Sequence, residues 1–127
     1  MSSSQHQSVY NEAYSAGIQA CESMVPTPVV FGHAASVFSD EIDYSKPTYH
    51  NSEGVCGFAW VVIRPGNSSF ARWLVKRGLA RKHYYGGVSY NVGIGGQSLE
   101  RKEAFARAFA EYLNNVGIKA HAESRLD

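Results

Sequence analysis

Between residues 8 and 24 apolar side chains recur three and four positions apart, at Tyr10, Tyr14, Ile18 and Cys21. That spacing predicts one amphipathic helix from about Ser8 to Met24, weakened slightly by Gly17. Pro26 and Pro28 end it, and Val29 to Phe31 read as a short edge strand. From His33 to Glu53 no period is visible, and Ser, Asp, Lys-Pro and Asn-Ser punctuate the run. An extended loop over 33–53 is expected there, of the kind a partner or ligand orders.

The strongest strand signal is GVCGFAWVVI at 54–63. Val55, Ala59, Val61 and Ile63 fall on one face and Cys56, Phe58, Trp60 and Val62 on the other, so both faces are apolar. A small domain rarely covers two such faces alone. Helices on one side and a second subunit on the other would do so, as would a sheet curled over itself. Arg64-Pro65-Gly66 makes a turn, and Asn67-Ser68-Ser69 caps a helix running to about Arg77. That helix turns Phe70, Trp73 and Leu74 inward, and Gly78 closes it. Residues 83–92 supply a strand to pair with 54–63.

Ser98 is a good N-cap for the next helix, and Glu100 complements its dipole. Phe105, Phe109, Tyr112, Leu113 and Val116 form its buried stripe, and Gly117 ends it. IKAHAESRLD then alternates strictly. Ile118, Ala120, Ala122, Ser124 and Leu126 face inward, with Lys119, His121, Glu123, Arg125 and Asp127 outward. This order predicts an α+β fold, helices packed on a mostly antiparallel sheet. One domain spans 1–127: an N-terminal helix within 1–25, the loop at 33–53 and a core over 54–127.

Composition narrows the class. No run approaches the roughly 20 apolar residues of a membrane span. MSSSQHQ lacks the basic and apolar regions of a secretory signal. Cys21 and Cys56 are too few for a disulfide framework and match no metal spacing, so a reducing cytoplasm is the default. The net charge of +1 hides an asymmetry: residues 1–53 hold one basic residue against six acids, and residues 54–127 hold eleven against five. An anionic ligand is therefore sought in the second part.

There a glycine cluster, Gly93-Ile94-Gly95-Gly96-Gln97-Ser98, joins a strand to a helix. Free backbone N–H groups and the helix dipole favour an anion at such a junction. Neither a dinucleotide fingerprint nor a Walker loop fits, because the third glycine is a serine, no acid follows and Gly-Lys-Ser/Thr is absent. A generic anion nest and a plain turn both remain open. At 100° per residue Arg101 leans toward the sheet, whereas Arg107 lies between Glu103 and Glu111 as a solvated ion-pair ladder. Arg72, Lys76, Arg77, Arg81 and Lys82 read as the polar side of a helix and its exit loop. Arg125 can fork onto a phosphate or pair with Glu123 or Asp127. Tyr84, Tyr85 and Tyr90 can stack on a base or serve a core or interface.

Catalytic signals are poor. The five histidines show neither HxH nor HExxH spacing, no G-x-S-x-G elbow occurs, no carboxylate pair stands out, and Cys56 sits mid-strand among apolar neighbours. The chain reads as a binder, with no catalytic residue, metal or cofactor.

VCGFAWVVIRPGNSSFARWL, then YYGGV, then GQSLERKEAFARAFAEYL and GIKAHAESRLD, resemble the phage Thoeris anti-defence sponge family, first type. The likeness covers 54–127 well and the first helix and Pro26-Thr27-Pro28 more loosely. It implies a phage protein in the cytoplasm of an infected bacterium, sequestering a cyclic ADP-ribose-type immune signal without cleaving it. Some members of that family also capture cyclic trinucleotides of CBASS defence, in a separate pocket of a hexamer built from dimers. A homodimer or hexamer is then expected, and no nucleic acid polymer. On this footing the candidates read from the residues fit the role: Gly95, Gly96, Ser98, Arg101 and Arg125 would hold the pyrophosphate, Tyr84, Tyr85 or Tyr90 the adenine, and Asn91 or Asp127 the ribose hydroxyls. Thr27 and Pro28 are the guess for the second pocket. Two other readings are a small enzyme degrading such nucleotides and an α+β RNA-binding module using the Arg72–Lys82 group.

Overall fold

A computed structural model describes residues 2–27, 29–31, 49–51, 54–83, 85–96 and 98–127. Its elements run α1 (Ser3–Ser23), β1 (Val29–Phe31), β2 (Tyr49–Asn51), β3 (Gly57–Ile63), α2 (Ser69–Lys76), β4 (Arg81–Lys82), β5 (Val88–Asn91), α3 (Leu99–Asn115) and β6 (Ala120–Leu126). The α+β reading holds: three helices pack on one four-stranded antiparallel sheet of order β4-β5-β3-β6. β1 and β2 form a separate antiparallel pair, so 33–53 is not loop throughout. The rest of that segment, Pro28, Tyr84 and Gln97 lie outside the described residues.

Helix α1 starts at Ser3, five residues before the Ser8 start that the apolar period predicts. Ser2 accepts from the Gln5 N–H, while the Gln5 side chain accepts from the Ser2 N–H, a reciprocal cap that a polar first turn conceals. The helix lies against α3, and Gly17 is what lets it come close. A Cβ there would sit 2.7 Å from the ring of Phe105, which is buried. Gly17 is thus a packing residue more than a weakness in the helix.

The face of β3 bearing Ala59, Val61 and Ile63 is buried with Phe70, Leu74, Phe105, Phe109 and Leu113. Burial of such apolar surface, at roughly 25 cal/mol per Å², holds the layers together. Helix α2 is capped by Ser68, and α3 by Ser98 with Gly117 (φ 88°) just past its end, as their sequences predict. Val116 is exposed instead of completing the stripe, because the helix has ended beside it. Lys102 is the unexpected member of the buried side of α3, its ammonium donating to the Gly57 carbonyl at 3.1 Å.

Strand β6 pairs with β3 along its whole length, but only its first half is covered. Ala120 is buried and Leu126 is 66% exposed, so the inward alternation predicted for 118–126 fades toward its end. Asn114 ties the strand to α3, its amide donating to the Ala120 carbonyl and accepting the Ala120 N–H, both at 2.9 Å. Cys56 also departs from expectation: it precedes β3, in an isolated bridge with Ser98, and is exposed. No described helix is long and apolar enough to cross a membrane.

Candidate functional site

Period-2 alternation gives the sheet a second face, turned away from the helices. In the β3 register, Trp60 lies opposite Asn91 on β5 and Glu123 on β6, while Phe58 lies opposite Arg125. Ser89 faces Val62 on one side and Arg81 of β4 on the other. Direct cross-strand neighbours share a face, so these residues line one surface. Val62 is fully buried there, Trp60 is half-buried and Phe58 is 42% exposed. The two apolar faces of β3 therefore differ: one is core, the other the floor of a groove.

That groove has a volume of about 590 Å³ and is lined by Phe58, Trp60, Arg81, Lys82, His83, Ser89, Asn91 and Arg125, with Ala59 and Val92. Arg81, His83 and Arg125 stand around two aromatic rings, Lys82 borders the groove from the other face of β4, and among the described residues no carboxylate lines it. The Arg125 guanidinium lies over the Phe58 ring, 5.3 Å from its centroid, and Lys102 reaches the same ring at 5.3 Å. A cation–π contact of this kind holds the guanidinium at the ring while its N–H groups remain able to meet an anion. Ser89 and Asn91 add a hydroxyl and an amide.

One carboxylate fixes a wall of the groove from outside its lining. Glu123 accepts from the Trp60 indole N–H at 2.9 Å and from His121 Nε2 at 2.8 Å, with His83 Nε2 at 3.3 Å. The hydrogen bond from His121, reinforced by that from Trp60, holds its carboxyl below the usual carboxylate range despite partial burial. The other ring nitrogen of His83, Nδ1, lies 3.3 Å from the Tyr85 N–H, so the ring bridges the hairpin loop and Glu123.

Of the residues picked from sequence, Arg125 and Asn91 meet in this groove. Tyr90 does not. It points into the core, its ring stacked on Phe109 (centroids 4.7 Å apart, 10° between planes) and its hydroxyl 3.0 Å from that of Tyr10. Burial pushes its phenol well above the ordinary value, so it stays neutral. Tyr85 is 80% exposed in the β4–β5 hairpin loop. Asp127 is exposed beyond β6, its N–H donating to the Cys56 carbonyl.

The glycine turn is already occupied by protein groups. The N–H of Ser98 donates to Gly95, that of Leu99 to the Val55 carbonyl at 3.0 Å, and that of Arg101 to Ser98 Oγ at 3.2 Å. Gly95 and Gly96 take positive φ values of 100° and 62°, which shape the turn, and Ser98 is buried as the cap. With these donors engaged, the geometry favours the plain strand-to-helix turn of the two readings left open by the sequence. Arg101 lies half-buried on α3 and does not line the groove. Thr27 is likewise engaged: its N–H meets both Glu100 carboxylate oxygens at 3.2 Å. Pro28, the other half of that guess, is outside the described residues.

Sequence reasoning missed Arg81, Lys82 and His83 as groove residues because a two-residue strand has no period to read. The signal for Phe58 and Trp60 was present in the double-sided pattern of 54–63. Among the described residues no cluster of three His, Cys, Asp or Glu is arranged to hold a metal. No protein-family model, curated protein or solved structure matches the chain.

Proposed function

We propose that the chain is a nucleotide-sequestering protein whose ligand is a cyclic ADP-ribose-type signal, held in the sheet groove and released unchanged. The observation that carries this is the convergence of Arg81 and Arg125 around the Phe58 and Trp60 rings, with Asn91 between them. A pyrophosphate takes guanidinium and ammonium groups, an adenine takes a ring face, and ribose hydroxyls take an amide. About 590 Å³ falls within the range of small-ligand sites. The resemblance to the phage Thoeris anti-defence sponge family supplies the biological setting: action in the cytoplasm of an infected bacterium, as a homodimer or hexamer, with cyclic trinucleotides as a second class of ligand. Arg125 and Asn91 keep the roles proposed for them from the sequence, and the groove residues replace the glycine turn.

The test is mass spectrometry of small molecules freed by heat from purified protein, after incubation with extract containing an active TIR-domain enzyme. Intact cyclic ADP-ribose isomer, at about one per subunit, is the expected result. Linear ADP-ribose with catalytic loss of the signal would make the protein an enzyme. An empty protein would overturn the reading and bring forward RNA binding, which should weaken steeply with salt. The basic group behind that alternative is divided by the fold. Arg81 faces the groove, Arg77 donates to Gln7 and covers Trp73, and Arg72 and Lys76 lie elsewhere.

A further inference from the structure

A second hollow, of about 710 Å³, lies on the helix side of the β4–β5 hairpin, between that hairpin, α2 and the start of α1. Lys82 and Val88 are cross-strand partners, and their shared face is opposite to that of Arg81 and Ser89. Trp73, Val75 and Val88 give the hollow an apolar floor, and Val75 is 41% exposed on it. Arg72, Lys76 and Lys82 stand at its edge. Among the described residues none of the three makes an ion pair, and no carboxylate lines the hollow.

Arg72 and Lys76 are four residues apart on one helix, where like charges repel each other. Lys82 adds a third positive charge from a neighbouring strand. A solvated polar helix face explains the charges singly; it does not explain why they ring a concave surface floored by tryptophan and valine. A negatively charged head would relieve the repulsion, and an aliphatic body would cover the floor. The geometry points to a binding site for an amphiphilic organic anion, an alkyl chain carrying a carboxylate or phosphate head. The hollow lies on the other face of the hairpin from the nucleotide groove, with Lys82 bordering both, and does not depend on the reading of that groove.

Isothermal titration of the intact protein with decyl phosphate, decanoate and 1-decanol, each below its aggregation limit, tests it. At least one of the two anions should bind one per chain, and at least tenfold more tightly than the neutral alcohol. The tighter anion identifies the head group. The double substitution Arg72→Ala/Lys76→Ala, at exposed positions, should weaken that anion at least tenfold while the circular dichroism spectrum and melting temperature stay unchanged. Val75→Asp, which places a carboxylate on the floor, should abolish binding. No binding of either anion, equal binding of the alcohol, or unchanged affinity in the double variant would each overturn the assignment.

Discussion

Trp60 and Glu123 face each other across β3 and β6, and the indole N–H donates to Glu123 Oε1 at 2.9 Å. The bond sets the angle of the ring that floors the groove, and His121 steadies the same carboxylate from along the strand. Because Glu123 titrates below the ordinary range in the folded protein, its contribution is present above the unfolded carboxylate value near pH 4.5. It is lost as pH falls through the folded value. With Glu123 partly exposed, the effect is screened to less than about 1 kcal/mol. Melting temperatures taken from pH 5 down to pH 3 should fall more steeply for the native protein than for Glu123→Gln; parallel slopes would refute the linkage.

His6 gives the opposite kind of group. It is 3% exposed, packed against Phe70 and Trp73, with Nε2 on the Ser69 hydroxyl at 2.8 Å and Nδ1 buried without a partner. Burial lowers its pKa from the ordinary 6.5. Above that value both states are neutral and nothing is gained or lost. As pH drops below it the unfolded chain takes up the proton first, so stability falls. His6→Phe should flatten the melting temperature between pH 7 and pH 5, and an unaltered slope would place the acid sensitivity elsewhere.

At Gly17 two effects compete. Alanine gains about 1 kcal/mol in helix propensity, but its methyl would meet a fully buried Phe105 ring at 2.7 Å, and overpacking costs about 1–3 kcal/mol. The clash should win, lowering the melting temperature of Gly17→Ala by several degrees. A rise in that temperature would mean that α1 can move off α3 freely.

For the nucleotide groove the expected pattern separates binding from folding. Arg81→Ala and Arg125→Ala should each weaken a cyclic ADP-ribose-type ligand about tenfold, close to 1.4 kcal/mol, with little change in melting temperature because both side chains are exposed. Calorimetric titration is the readout. Equal losses in Arg101→Ala would return the site to the glycine turn.

Ser98→Ala is the complementary experiment. Removing the cap should cost about 1 kcal/mol of stability, and ligand affinity should stay within twofold of the native value. A large loss of affinity without a loss of stability would show that this hydroxyl serves a ligand.

How much of this was legible beforehand varies with the range of the signal. Helix α3 was readable from one end to the other, since Ser98, Glu100, the Phe105–Phe109–Leu113 spacing and Gly117 are all local cues. Strand β3 was equally plain. The start of α1 was not, because a capping box among serines and glutamines has no apolar period. β4 was invisible, since two residues become a strand only through pairing with Ser89 and Val88. Tyr90 shows the limit most clearly for the site. Its neighbours Ser89 and Asn91 face the groove, yet alternation sends it to Phe109, and only the register of β3 and β5 decides which parity is which.

The order of the sheet also bears on how it closes. β6 lies beside β3, some sixty residues earlier, and pairs with nothing else among the described strands. Until β6 docks, the edge of β3 that carries Phe58 and Trp60 is unpaired backbone, the kind of surface that other chains can add to. Asn114 ties that strand to the helix before it: its amide matches both backbone groups of Ala120, six residues on, so the pairing is anchored at the helix end.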